Sequence, residues 1–188
     1  MYSSTNPDLR SNSLTMFSKI TISGKICTGK TSVFRELHKK LQWPTFSSGA
    51  HFREYAKIHN LVLNDAEEQI AKITKKIDGV AKDMLHKPGN LLLDAWLGGI
   101  LAEETTDVLK VLLTTDDSVR FKRFAERENI SVEEAKNEVL QRDSSWFEKV
   151  KKIYNRSDFF DKKNYTLVIN TSDISIKDVI SIILKNLS

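Results

Sequence analysis

A chain of 188 residues, 40% hydrophobic and 29% charged, holds enough apolar material for one domain with a substantial core. Its net charge of +4 is mild and its basic residues are dispersed. That balance suits an enzyme for anionic substrates as well as nucleic-acid binding, but no aromatic-basic RNA-binding motif accompanies it. One cysteine excludes an internal disulfide and fits a reducing, cytoplasmic setting, and no apolar run is long enough to cross a bilayer.

Residues 1–15 are rich in Ser, Asn and Asp without an apolar stretch, so they read as a disordered tail and not a signal peptide. The folded part is expected over 16–188, beginning with a short apolar strand at 17–23. A glycine-rich loop follows, and then a helix-forming run over 31–41. Residues 44–47 can form a strand, and Ser48-Gly49 opens a helix through 50–58. Asn64 or Asp65 is placed to cap a longer helix in which Ala66, Ile70, Ile73, Ile77, Val80 and Met84 recur at helical spacing. The run 86–90, with Pro88 and Gly89, breaks it. Buried strands are expected at 91–94, 108–113 and 166–169. Asp116 or Asp117 caps a helix to about 129, and Ser131 with Glu134 reads as a capping box for the next. Ile176, Ile180, Ile183 and Leu187 mark a terminal helix. Uniformly apolar strands separated by helices imply an α/β fold whose parallel sheet is covered on both faces.

The most informative stretch is Gly24-Lys25-Ile26-Cys27-Thr28-Gly29-Lys30-Thr31, a complete G-x-x-x-x-G-K-[ST] loop between a strand and a helix. Its glycines allow successive N–H groups to converge on phosphate oxygens, and the following helix adds its positive end. Lys30 supplies a mobile charge for β- and γ-phosphates, the Thr31 hydroxyl suits Mg²⁺, and Ser32 extends the cradle into the helix. Cys27 offers its backbone N–H. A thiolate favoured by cationic surroundings is the sharper possibility there, and no catalytic role is assigned to it. Arg120, Arg123 and Arg127, spaced three and four apart, share one helix face, either solvated or turned to phosphate. Arg142, Lys149, Lys152 and Arg156 gather on one side if 142–156 is helical. The guanine-reading N-K-x-D pattern is absent, because Asn170-Thr171-Ser172-Asp173 lacks the lysine. The four histidines form no partner pattern, and only His51 lies near the expected acceptor region.

These segments, with Ser47-Ser48-Gly49, Phe52-Arg53-Glu54, Ile77-Asp78, residues 91–99, 118–128, 130–135, Arg142-Asp143 and 165–172, stand in an order that resembles the nucleoside monophosphate kinases. The resemblance is strongest to the cytidylate kinases of compact archaeal type and runs from about residue 17 to the C-terminus. It implies a three-layer α/β/α P-loop NTPase fold with a five-stranded parallel sheet, an acceptor-binding segment at about 47–88 and a lid at about 130–157. By the same analogy the chain is a monomer that takes ATP and Mg²⁺, with no nucleic-acid or membrane partner. It further implies that Lys30 holds the migrating phosphoryl group, that Thr31 and Asp94 hold the metal, and that Ser48, Gly49 and Arg53 receive the monophosphate. Arg123 would stack on the donor base, Arg127 would meet its phosphates, and Arg142, with Lys149, would come from the lid. The backbone at Thr171-Ser172 would border the adenine, and Asp78 matches a family position without an evident chemical task.

Several positions depart from that pattern. After the acid at position 94 the cytidylate kinases carry Gly-Arg, whereas this chain has Ala95-Trp96, and Gly98 stands where a related pattern has arginine. Trp96 either stacks on a base or fills core. Lys149 replaces the second lid arginine, and Asn155-Arg156-Ser157 replaces Gly-Ile-Asp. Transfer of the ATP γ-phosphoryl group to CMP or dCMP is the leading expectation. Transfer to AMP, UMP or a small hydroxyl compound stands as the alternative, as does a catalytically weak ATP-binding regulator.

Overall fold

The structure is a computed structural model describing residues 17–59 and 67–187. Five strands form one sheet: β1 (Lys19–Ser23), β2 (Thr45–Ser47), β3 (Leu91–Asp94), β4 (Val108–Thr114) and β5 (Leu167–Asn170). All pairings are parallel, in the order β2-β3-β1-β4-β5. Helices α1 (Lys30–Leu41), α2 (Ser48–Ile58), α3 (Glu67–His86), α4 (Gly98–Leu101), α5 (Asp117–Glu128), α6 (Val132–Tyr154) and α7 (Ile176–Lys185) connect and cover it.

The two-residue period of the strands explains the layers. Ile20, Ile22, Leu92, Leu109, Val111 and Leu113 face one side, where Val33 and Leu37 of α1 and Val179, Ile180 and Ile183 of α7 close over them. Leu91, Leu93 and Val108 share the opposite core with Ala81 and Leu85 of α3, Leu101 of α4 and Val150 of α6. A third cluster joins Phe124 and Ala125 of α5 to Ala135 and Val139 of α6, with Ile26 and Cys27 packed against it. The two expected helical layers are therefore both present.

Local signals set most boundaries. Ser131 accepts from the Glu134 amide at 3.2 Å while Glu134 accepts from the Ser131 amide at 2.9 Å, the reciprocal capping box read from sequence. Ser47 caps α2 and Ser175 caps α7 through their hydroxyls. Asn129 and Asn155 end α5 and α6 in left-handed conformation. Arg156 thus lies beyond α6 and, instead of continuing its basic side, pairs with Glu103 and Asp158. Asn64, Asp65 and the tail at 1–15 lie outside the described residues. The one-turn helix α4 has no counterpart among the expected elements. Gly98 permits it by close packing, since a Cβ there would lie 2.6 Å from Ser23 Oγ.

Candidate active site

The strand register brings the chemistry to one edge of the sheet. Ile22 of β1 stands beside Asp94 of β3, and Ser47 of β2 stands on the other side of Asp94. The Ser47 hydroxyl donates to Asp94 Oδ2 at 3.0 Å, and Ser23 Oγ donates to the Ala95 carbonyl at 2.9 Å. The carboxylate is thereby held at the carboxyl ends of parallel strands, where open α/β sheets place their ligands. Ser47 stood in the Ser47-Ser48-Gly49 segment read from sequence but was given no role there. Its only signal was its place at the end of a short strand.

The glycine loop leaves β1 at Gly24, whose φ of +145° and lack of room both require glycine. A Cβ there would lie 2.4 Å from the Leu113 carbonyl oxygen and 2.8 Å from Thr28 Oγ1. Gly29, at φ +89°, caps α1 without any side-chain hydrogen bond, and the Thr31 and Ser32 side chains are exposed in the first turn. Among the described residues, none of the backbone amides of Lys25, Ile26, Cys27, Thr28 and Gly29 donates a short, well-aligned hydrogen bond within the protein, residues 26–27 forming only a loose turn. A run of such amides leading into a helix N-terminus is an arrangement that can hold an anion. Lys30 Nζ donates to the Lys25 carbonyl at 2.7 Å and rests 5.2 Å from the centroid of the Trp96 ring. The side chain is only half-buried by area, yet its ammonium sits beneath enough protein that desolvation pushes its pKa down to about 8, against the opposing pull of Asp94. The Cys27 thiol is pushed up, mainly by burial, although Arg127, Arg120 and Lys30 pull the other way. The surroundings therefore do not favour a thiolate there.

The arginines separate into two groups. Arg120 is buried, contrary to a solvated or phosphate-facing position, and bonds Ile26, Asp117 and Asp143. Arg123 donates to the Thr171 carbonyl at 2.6 Å and to Thr171 Oγ1 at 3.2 Å. Arg127 and Arg142 are exposed and flank one ring, their Cζ atoms 4.9 and 5.1 Å from the centroid of Phe124. Besides that ring, each pairs with a surface carboxylate, Glu128 and Glu138 respectively, contacts weak enough at exposed sites for both to swing toward a ligand. Lys149 lies half-buried further along α6.

On the other side of Asp94, Arg53 is exposed on α2 and lies over Gly49, where a Cβ would come 3.3 Å from its Nη1. The Ser48 hydroxyl is buried and has no hydrogen-bond partner among the described residues, and His51 stacks on Phe46 with centroids 4.5 Å apart. Trp96 is half-buried and joins an aromatic group unforeseen from sequence. Its centroid is 4.2 Å from that of Trp146 and 6.3 Å from that of Phe160. A cavity of about 200 Å³ lies beside this group, bordered by Lys25, Trp96, Asp143, Trp146, Phe147 and Phe160. Asp78, on α3, accepts from the Tyr154 hydroxyl of α6 at 2.6 Å, and burial raises its pKa to about 6.

This geometry agrees with comparison to known proteins. A cytidylate kinase of Sulfolobus acidocaldarius is 36% identical over 169 residues, spanning 88% of this chain and 92% of that protein. The chain belongs to the cytidylate kinase family of P-loop kinases. A second family member, from Saccharolobus islandicus, is 30% identical and covers 90% of both chains. A family model described as an AAA domain matches residues 20–143. Among solved structures, a protein of Eubacterium ventriosum superposes with TM-score 0.68 at 16% identity, covering 90% of this chain and 97% of that one. A shikimate kinase from Bacteroides thetaiotaomicron superposes with TM-score 0.60 at 13% identity, covering 89% and 96%. At such identities the likeness is one of fold. No helix among the described residues is long and apolar enough to cross a membrane.

Proposed function

We propose that the chain transfers the γ-phosphoryl group of ATP to CMP or dCMP, giving ADP and the nucleoside diphosphate. The single observation that carries this reading is a likeness to a cytidylate kinase over 88% of the chain, in a chain whose glycine loop keeps five amides without a close partner among the described residues beside Lys30.

The residues present fit a magnesium-bound triphosphate. The Gly24 position admits no side chain, the first turn of α1 carries the exposed Thr31 and Ser32, and Asp94 is held nearby by Ser47. Among the described residues no group of three or more His, Cys, Asp and Glu side chains could hold a metal ion. Thr31 and Asp94 would therefore hold Mg²⁺ together with phosphate oxygens, as this ion prefers. When bound, the ion neutralises charge on the β- and γ-phosphate oxygens.

Lys30 leaves the Lys25 carbonyl for the γ-phosphoryl group and follows its charge through transfer. Arg127 and Arg142 turn from their surface carboxylates onto the same charge, and closure of the 130–157 lid excludes water. The planar face of Arg123 takes the adenine while its edge stays bonded to Thr171, whose neighbour Ser172 borders the base. Arg53 and the Ser48 hydroxyl receive the acceptor phosphate over Gly49, with Lys149 closing from α6. No strong general base is required, because a phosphate monoester with a second pKa near 6 is already largely dianionic at neutral pH.

Trp96 supports a second reading, in which the acceptor is AMP, UMP or a small hydroxyl compound. It stands where the resemblance places an acceptor-binding arginine and presents an aromatic surface beside Lys30. Following ADP formation with MgATP and a panel of monophosphates and hydroxyl compounds, with Lys30→Ala as control, separates the two. Turnover confined to CMP and dCMP is expected. Turnover confined to another acceptor moves the substrate, and tight ATP binding without transfer would make the chain a regulator.

A further inference from the structure

The shape of the glycine loop is fixed from behind. Arg120 Nε donates to the Ile26 carbonyl at 2.9 Å, Arg123 Nη1 to the Cys27 carbonyl at 3.4 Å, and Thr171 Oγ1 to the Thr28 carbonyl at 3.0 Å. A planar trans peptide points its C=O and the following N–H in opposite directions, and none of the described peptides is cis. Holding these carbonyls on the α5 and β5 side therefore turns the amides of Cys27, Thr28 and Gly29 the other way. Those are three of the five loop amides without a close acceptor among the described residues.

The braces are themselves anchored. Arg120, 1% exposed, cannot reach a ligand, and its other nitrogens donate to Asp117 at 2.6 Å and to Asp143 of α6 at 2.5 Å. Thr171 is buried and shares a 2.7 Å hydrogen bond with Thr115. Asp143 directly follows Arg142 in sequence, so the guanidinium that sets the Ile26 peptide also sets the turn of α6 that carries Arg142.

We propose that Arg120, Arg123 and Thr171 are positioning residues that aim three loop amides at phosphate before any ligand arrives, and that Arg120 extends this brace to α6 through Asp143. Donors fixed in advance need no reorganisation when charge arrives. The proposal rests on residues 24–31 being a phosphate site and is independent of the acceptor.

Calorimetry with magnesium pyrophosphate isolates the cradle from base and acceptor. It is performed at a temperature where circular dichroism shows every variant fully folded. Arg120→Met and the near-isosteric Thr171→Val are each expected to weaken the pyrophosphate Kd about tenfold. Arg120→Lys, which keeps a charge but lacks the fork, replaces Arg120→Met if that variant does not fold, and should weaken the Kd several-fold relative to wild type. Asp143→Asn leaves the Ile26 contact in place and removes a negative charge, so it should bind pyrophosphate at least as well as wild type while kcat falls. Folded Arg120 and Thr171 variants with unchanged Kd would overturn the proposal alone. So would an Asp143→Asn loss equal to that of the arginine variant, because the effect would then be general loosening. A wild-type protein that ignores pyrophosphate overturns both this proposal and the phosphate-site reading beneath it.

Discussion

The two sides of Asp94 are built differently. Toward α5, the glycine loop is backbone held from behind: the buried Arg120 and Thr171 and the half-buried Arg123 grip its carbonyls, and Thr28 closes its turn on the Lys25 carbonyl at 2.9 Å. Toward α2, the groups proposed to meet an acceptor are the exposed Arg53, the Ser48 hydroxyl, which has no partner among the described residues, and the half-buried Trp96. On the proposed reading the first side is set before binding, whereas the second would take its geometry from the ligand it receives. A fixed donor cradle beside an adaptable acceptor face lets specificity change by side-chain replacement without disturbing the phosphate site.

That contrast can be broken most severely at Lys30. Lys30→Ala should lower kcat by about 10²- to 10³-fold, because it removes a charge aimed at the migrating group, and it should leave the melting temperature nearly unchanged. Steady-state kinetics with calorimetric melting checks both. Arg53→Ala sharpens the other half: the acceptor KM should rise about tenfold or more through loss of a charge-assisted phosphate contact, with the ATP KM unaltered. Equal changes in both constants would show that the two sides are not separable.

Asp78 tests whether α3 and α6 are joined on the acceptor side. Burial holds its pKa near 6, above the ordinary carboxylate value. Between about pH 4 and 6 the native state therefore keeps a proton that the unfolded chain has released. Stability contributed by this group falls as pH rises through that window and levels off above it, by about 2–3 kcal/mol in total. Asp78→Asn, which can still accept from Tyr154, should remove that fall in urea titrations at pH 4 and 7. The smallest effect concerns the lowered Lys30 pKa of about 8. Phosphate binds the charged lysine, so MgATP affinity should fall as pH rises past this value, by about tenfold over one to two pH units. Lys30→Arg should flatten the profile.

The sheet and its layers were legible because apolar strands, helix caps and the glycine loop are local signals. Leu91-Leu92-Leu93-Asp94 and the Ser131–Glu134 box behave as their sequences require. The roles of α5 were not legible. Helical spacing puts Arg120, Arg123 and Arg127 on one face, but only the fold shows Arg120 passing into the interior toward Ile26, 94 residues away, while Arg127 stays in solvent. Trp96 likewise reads as core or base platform until Trp146, far along the chain, is found packed on it. Asp143 carried a faint signal, adjacent to Arg142, yet its partner lies on another helix.

Phosphorus NMR of a mixture of the protein, MgATP and CMP tests the central claim most directly. Equal accumulation of ADP and CDP, abolished by Lys30→Ala, is the predicted result. An unchanged ATP spectrum, or release of inorganic phosphate without any CDP, would contradict it.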